Sequence, residues 1–231
     1  HTNKGQTGTL TLSSTTGVNS NQGWLATDVG RLVHVLDGHA KITNYTSSTV
    51  VTGEVLSDIS NGSATTDFAL GSFSSTTGHP SCVTFFEQRL VFAATLSQPQ
   101  TLFFSKSGDY ENMDDGYHET VADDDSIIYT IASNQVNAIR FMTATRTLII
   151  GTAGGEFAVS GGGTDIAITP TNILIKKQSN NGAANVDALA VGNATLFLQR
   201  ARRKLRELAY NFDVDGYVAP DLTILAEHIS E

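Results

Sequence analysis

Three adjacent carboxylates, Asp123, Asp124 and Asp125, close a run that also holds Asp109, Glu111, Asp114, Asp115 and Glu119 and contains no lysine or arginine. Clustered carboxylate oxygens are the ligands a hard cation such as Ca²⁺ takes. The spacing lacks the glycine and the distal glutamate of an EF-hand loop. Neighbours on an extended backbone also point to opposite faces. A solvated acidic loop is therefore preferred over a calcium site.

The opposite charge gathers later, in Arg200, Arg202, Arg203, Lys204 and Arg206, five of the chain's 14 lysines and arginines. Read as a turn running into a strand, alternation puts Arg202, Lys204 and Arg206 on one face, with Arg203 and Leu205 on the other. A single-stranded nucleic-acid surface interleaves aromatic rings with its cations, and here none follows until Tyr210. Pairing with acids, of a neighbouring subunit or of the 109–125 run, is the better reading. Asp123, Asp124, Asp125, Arg202, Arg203, Lys204 and Arg206 are thus the candidate inter-subunit contacts. The plainer alternative is two solvated loops that never meet.

Other reactive chemistry is sparse. No Walker A loop, nucleophile elbow or HExxH motif is present. The glycine-rich stretches at 151–157 and 161–163 lie between strands and open no helix, so they read as turn glycines. The six histidines, His1, His34, His39, His79, His118 and His228, are scattered without metal-ligand spacing. Cys82, the single cysteine, excludes an internal disulfide and a cysteine-rich zinc site. It opens an apolar strand and reads as a small packed hydrophobe. Triplets at Asn44, Asn61 and Asn193 match glycosylation acceptors, but a chain this rich in Asn, Ser and Thr produces them by chance, and Asn193 suits a turn. No catalytic residue, metal or cofactor is expected.

The 231 residues carry a net charge of −9 with a pI near 5.0. That argues against broad binding to phosphates, which needs a basic face. No apolar run is long enough to predict a membrane span. Residue 1 is His, which suggests a piece of a longer chain.

The elements that carry these residues are strands. The stretch 79–109 reads as strand, tight turn at Glu87-Gln88, strand, loop with Pro99, strand. Upstream, 8–12, 31–38, 39–46, 48–58 and 66–72 are strand candidates, and Asp37-Gly38 is a strong hairpin signal. These make a small antiparallel β-barrel or sandwich over 1–75. The polar segment 74–80 marks the boundary.

Downstream one pattern recurs. Residues 82–95, 138–152 and 187–200 each read as a hairpin followed by a further short strand, and twice by an outer strand (125–133 and 172–178). Leu90, Leu148 and Leu196 fall at the same place in the repeat, roughly 50 residues apart, which is a propeller-like period. The expected fold class is mainly β, with part of a β-propeller over 76–231 and blades near 82–133, 136–178 and 186–231. A short C-terminal helix is expected, capped by Asp221 and reaching Glu227. Three blades cannot close a propeller of four to eight. The missing blades are expected beyond Glu231 or before His1.

HPSCVTFFEQRLVFAATLSQPQTLFFSKSGDYENM, DDDSIIYTIASNQVNAIRFMTATRTLIIGTAGGEF and the segment from ITPTNILIKKQ to LTILAEHI resemble the tail nozzle or hub proteins of short-tailed bacteriophages. These are also known as phage stabilisation proteins or tail tubular protein B-like proteins. The likeness covers 79–229 closely and 24–71 more loosely, through ATDVGRLVHV. It implies a propeller-containing virion subunit, six copies of which form a tube below the portal and adaptor, gated near its tip. Partners would be the tail adaptor and tail fibre or needle proteins. DNA would pass through the lumen without sequence-specific binding. No catalytic residue or cofactor carries over. An acidic wall would repel passing phosphates, in keeping with the net charge.

The competing reading is an extracellular β-propeller module that binds glycans or protein partners. A glycan site wants acids and aromatics converging at one propeller mouth, and the single tryptophan, Trp24, lies outside the propeller part.

Overall fold

The computed structural model describes residues 2–114, 120–132, 136–163 and 166–225. The chain divides into two compact units, His1–His79 and Pro80–Glu231. It is mainly β, and the only helical segments among the described residues are two single turns of 3₁₀ helix. No helix is long and apolar enough to cross a membrane.

In the first unit β1 (Thr7–Thr11), β2 (Leu32–Val35), β3 (Gly38–Ser47), β4 (Val50–Ser57) and β5 (Phe68–Leu70) form one antiparallel sheet in the order β1-β4-β3-β2-β5. The inward face of β4 follows strict alternation, with Val51, Gly53 and Val55 buried. Trp24, Val33, Ile42 and Val51 form its core. The expected barrel does not close: among the described residues β1 and β5 stay at opposite edges of a single sheet.

The first hairpin corrects the reading of Asp37-Gly38. Its two turn residues are Leu36 and Asp37, and Leu36 takes the positive φ of 56°. Gly38 is already in the strand, paired with Val35. A Cβ there would sit 2.4 Å from the Asp58 carbonyl oxygen, so glycine is required by close approach rather than by the turn.

The second unit holds three four-stranded antiparallel meanders, each in simple sequential order. The first is β6 (Cys82–Phe86), β7 (Arg89–Ala93), β8 (Thr101–Phe104) and β9 (Ile127–Thr130). The second is β10 (Ile139–Ala144), β11 (Leu148–Thr152), β12 (Gly155–Gly161) and β13 (Ile173–Ser179). The third is β14 (Leu189–Val191), β15 (Ala194–Leu198), β16 (Leu205–Asn211) and β17 (Gly216–Val218). The β6–β7 turn is the pair Glu87-Gln88, with φ of 44° and 60°, the backbone twist that suits a two-residue hairpin.

The meanders stack by alternate faces. Phe86, Val91, Leu102 and Phe104 of the first pack on Leu148, Ile150, Phe157 and Val159 of the second. The opposite face of the second, through Phe141, Ile149 and Ala158, packs on Phe197 and Leu208 of the third. Continuous apolar runs such as Leu148–Ile150 make this possible, because successive side chains point to opposite faces and both faces are then apolar. The outermost faces remain partly uncovered. Val83 and Phe85 are each 60% exposed and Ile128 is 50% exposed on one side, and Leu189 is 64% and Val191 50% exposed on the other.

Two expectations are corrected here. Leu90, Leu148 and Leu196 share the second strand of their meanders but not a register, being its second, first and third residues. The residue that opens the strand is Arg89, Leu148 or Ala194. The C-terminal helix does not begin at Asp221: Asp221 forms a β-bridge with Arg206, and residues 222–225 are turn. The remainder of that predicted helix lies outside the described residues. The short strand β17, absent from the sequence reading, completes the third meander.

Candidate functional site

The acidic run folds around a buried cation. Arg89 is 2% exposed at the start of β7. Its guanidinium donates to the carbonyls of Ser105 (2.8 Å), Asp123 (2.8 Å), Asp124 (3.3 Å) and Asp125 (2.6 Å). The three aspartates therefore serve Arg89 through their backbones. Burial pushes the Arg89 pKa down, and the charges of Asp124, Glu87 and Asp125 oppose that shift.

The side chains of the three aspartates diverge. Asp125 is buried and accepts from Lys106 Nζ at 2.8 Å and from the Ala122 amide at 2.7 Å. The Lys106 bond is the main reason its carboxyl is held below the usual range. Asp123 and Asp124 point to solvent. Lys106 also approaches Asp114, at 3.9 Å. No group of three or more potential metal ligands occurs among the described residues. Asp115 and Glu119 lie outside them.

The basic run is divided in use. Lys204 pairs with Asp221 at 3.0 Å, the main cause that holds the Asp221 pKa down to about 2. Arg206 donates to the Gln199 side chain at 2.9 Å and to the Ala219 carbonyl at 2.6 Å. Arg202 and Arg203 are exposed in the turn before β16. Arg202 takes a left-handed φ of 59°, so strand alternation does not reach it. Of the seven candidate contacts, Asp125, Lys204 and Arg206 are engaged within their own chain by the bonds above, and Asp123, Asp124, Arg202 and Arg203 are exposed.

Arg200 and Arg202 share a cavity lining with a residue that nothing in the local sequence singles out. With Arg140, from β10, they line a cavity of about 320 Å³ where the second and third meanders adjoin. Ala183 and Ala184 are almost fully buried along it. Arg200 donates to the Ala153 carbonyl at 3.3 Å.

Two further placements escaped the sequence. His34 and His39 are directly opposed across the first hairpin, with Nδ1 and Nε2 3.1 Å apart, and His39 Nδ1 is 3.2 Å from the Ser57 hydroxyl. A two-residue turn makes a spacing of five a cross-strand pair, which corrects the reading of scattered histidines. Glu156 is completely buried in β12 beside the Ser179 hydroxyl, which donates to its carboxyl. Burial pushes its pKa up, against the pull of Ser179, the Asn181 backbone and Arg206.

The remaining motifs are structural. Asn61 accepts from the Ser63 amide at 2.9 Å in a local turn, and Asn193 follows Gly192 (φ 58°) in the β14–β15 turn. Gly151 and Gly155 lie in β11 and β12. Burial raises the Cys82 thiol pKa, and the residue packs against the core between the first two meanders. His1, His118 and His228 lie outside the described residues. No family model and no curated protein matches the chain.

Proposed function

We propose that the chain is a structural subunit of a bacteriophage tail, of the nozzle or hub kind, and that Pro80–Glu231 is part of a β-propeller. In this reading the subunit forms part of the tube through which DNA is ejected, and the full-length protein assembles as a ring of six copies. The tail assignment rests on the resemblance of 79–229 to that family.

The observation that carries the propeller half is the pair of uncovered apolar faces on the stacked meanders. On the outer face of the first meander Val83, Phe85 and Ile128 are each half exposed or more. Leu189 and Leu196 are cross-strand partners on the third. Sheets that pack on both faces in the middle of the stack call for further sheets at its ends. The partners proposed are the tail adaptor and fibre or needle proteins, with DNA passing unbound through the lumen.

Peptide mass spectrometry and labelling of purified phage particles test the assignment. The protein should be found in the virion, at the tail, in six copies. Its absence from particles, or saturable glycan binding by the purified chain, would instead favour an extracellular propeller module. Subunit contacts can be tested with the outward charges: reversal at Arg202 and Arg203 should slow ring assembly, and reversal at Asp123 and Asp124 should partly restore it. Exposed pairs of this kind steer assembly more than they stabilise it.

A further inference from the structure

The cavity lined by Arg140, Arg200 and Arg202 has an electrostatic character at odds with the rest of the chain. The protein carries a net charge of −9, yet three arginines line a cavity of about 320 Å³ with no carboxylate in its lining. None of the three forms an ion pair among the described residues. Arginine stays protonated at any working pH, so the positive charge of the lining cannot be removed by titration. An anion would offset it.

The cavity is also held open by its own backbone. Ala183, Ala184 and Asn185 line it from a connecting segment in which Ala183 forms an isolated β-bridge with Gln199. The Ala183 amide donates to the Thr152 carbonyl (2.8 Å), the Ala184 amide to Leu198 (2.9 Å), and the Arg200 amide to Gly182 (2.9 Å). Gly182 has a φ of 71°, and a Cβ on it would lie 2.5 Å from the Ala153 carbonyl oxygen. Small side chains at 183 and 184 leave the space unfilled. Arg202 is kept at the rim by a left-handed turn whose amide donates to the Gln199 carbonyl at 2.7 Å. A non-glycine residue in that conformation is uncommon and carries a strain that the surrounding turn must hold.

We propose that this cavity is a phosphate-binding site, in which the three arginines take the oxygens of one phosphate group. Planar guanidinium forks match tetrahedral oxyanions in paired hydrogen bonds, which favours phosphate over a monovalent ion of point-like charge. The volume stands at the small end of ligand cavities, roughly 300–1,000 Å³. It suits a phosphate or diphosphate moiety and leaves any larger body outside. The same chemistry arises from a free phosphate, from a phosphate ester and from the phosphodiester of a nucleic acid. The proposal is independent of the tail assignment.

Isothermal titration of the whole chain with inorganic phosphate and with pyrophosphate, at low ionic strength, tests it. Saturable one-to-one binding is expected, with amide NMR shifts concentrated at Gly182, Ala183 and Ala184. Arg140→Gln and Arg202→Gln should each weaken binding by about tenfold or more, the loss of one charge-assisted contact. Arg203→Gln, next in sequence but not in the lining, should leave it unchanged. Thermal melts establish that each variant is folded. A duplex oligonucleotide forms the second arm: binding that falls with the same two substitutions assigns the site to phosphodiesters, and no such loss assigns it to free or terminal phosphates. Absence of saturable phosphate or pyrophosphate binding in folded wild-type protein, or affinity unaltered by Arg140→Gln, overturns the proposal.

Discussion

The Arg89 guanidinium donates to the backbone carbonyl of Asp125 at 2.6 Å, while the Asp125 carboxylate turns away to Lys106 at 2.8 Å. One residue thus closes two interactions of opposite kind, and the acidic loop is fastened to the first meander through both. Arg89→Met keeps the apolar stem and removes the donors, leaving the carbonyls of Ser105 and of residues 123–125 without that partner. We expect a loss of about 3 kcal/mol in urea unfolding, from several buried hydrogen bonds at roughly 1–3 kcal/mol each less the gain from an apolar replacement. Amide exchange should rise across 120–126. Arg89→Lys should recover only part, because an ammonium lacks the planar fork. A variant as stable as wild type would show that the guanidinium does not hold the loop.

The Lys106–Asp125 pair gives an acid dependence of known sign. The folded-state pKa of Asp125 lies below its ordinary value of 3.8. Its contribution is therefore fully present above pH 3.8 and is lost as pH falls through the lower folded value. The stability gap between wild type and Asp125→Asn should be constant from neutral pH down to about pH 5 and then shrink with further acid. Denaturant midpoints measured across that range provide the check, and a gap that widens in acid would contradict it.

Glu156 should behave in the opposite sense. Burial raises its folded pKa above the ordinary 4.5. Between 4.5 and that raised value the unfolded chain has released a proton that the folded chain retains, so stability falls as pH rises. Glu156→Gln, which stays neutral, should gain on wild type over that window and keep the gain at higher pH. Parallel pH profiles for the two proteins would show that Glu156 ionises normally in the fold.

In the first unit, Asp28 is completely buried and Arg31 nearly so, 3.0 Å apart. Asp28 also accepts from Asn19 (2.6 Å), the Leu25 amide (2.9 Å) and Thr76 (2.7 Å). Asp28→Ala leaves the guanidinium buried without its counter-charge, a change that typically costs about 3–5 kcal/mol. Chemical denaturation followed by Trp24 fluorescence reports on this unit, since Trp24 lies in its core. A loss below about 1 kcal/mol would mean that water or a shifted side chain replaces the carboxylate.

Much of the β architecture was legible in the chain. The runs that became β6, β7, β8, β10, β11 and β15 stand out because period-two alternation and turn residues such as Glu87-Gln88 and Gly192-Asn193 act over a few residues. The recurrence of those runs also marked three similar assemblies. Where local chemistry had two uses the sequence misled: Gly38 looked like a turn glycine and is a strand glycine beside the Asp58 carbonyl, and Asp221 looked like a helix cap and is bridged to Arg206.

The residues alone specify short strands with continuous apolar runs, such as Leu148–Ile150, and with them sheets apolar on both faces that can stack. The use made of the charges emerges only in the folded chain. Arg89 had no visible partner because its acceptors are backbone carbonyl oxygens, one 16 and three 34 to 36 residues away, and every residue type supplies those. Arg140 shares a cavity lining with Arg200 and Arg202 only once the second and third meanders lie against each other. Such placements depend on which faces meet and how the connecting loops return, and no short window of residues contains either.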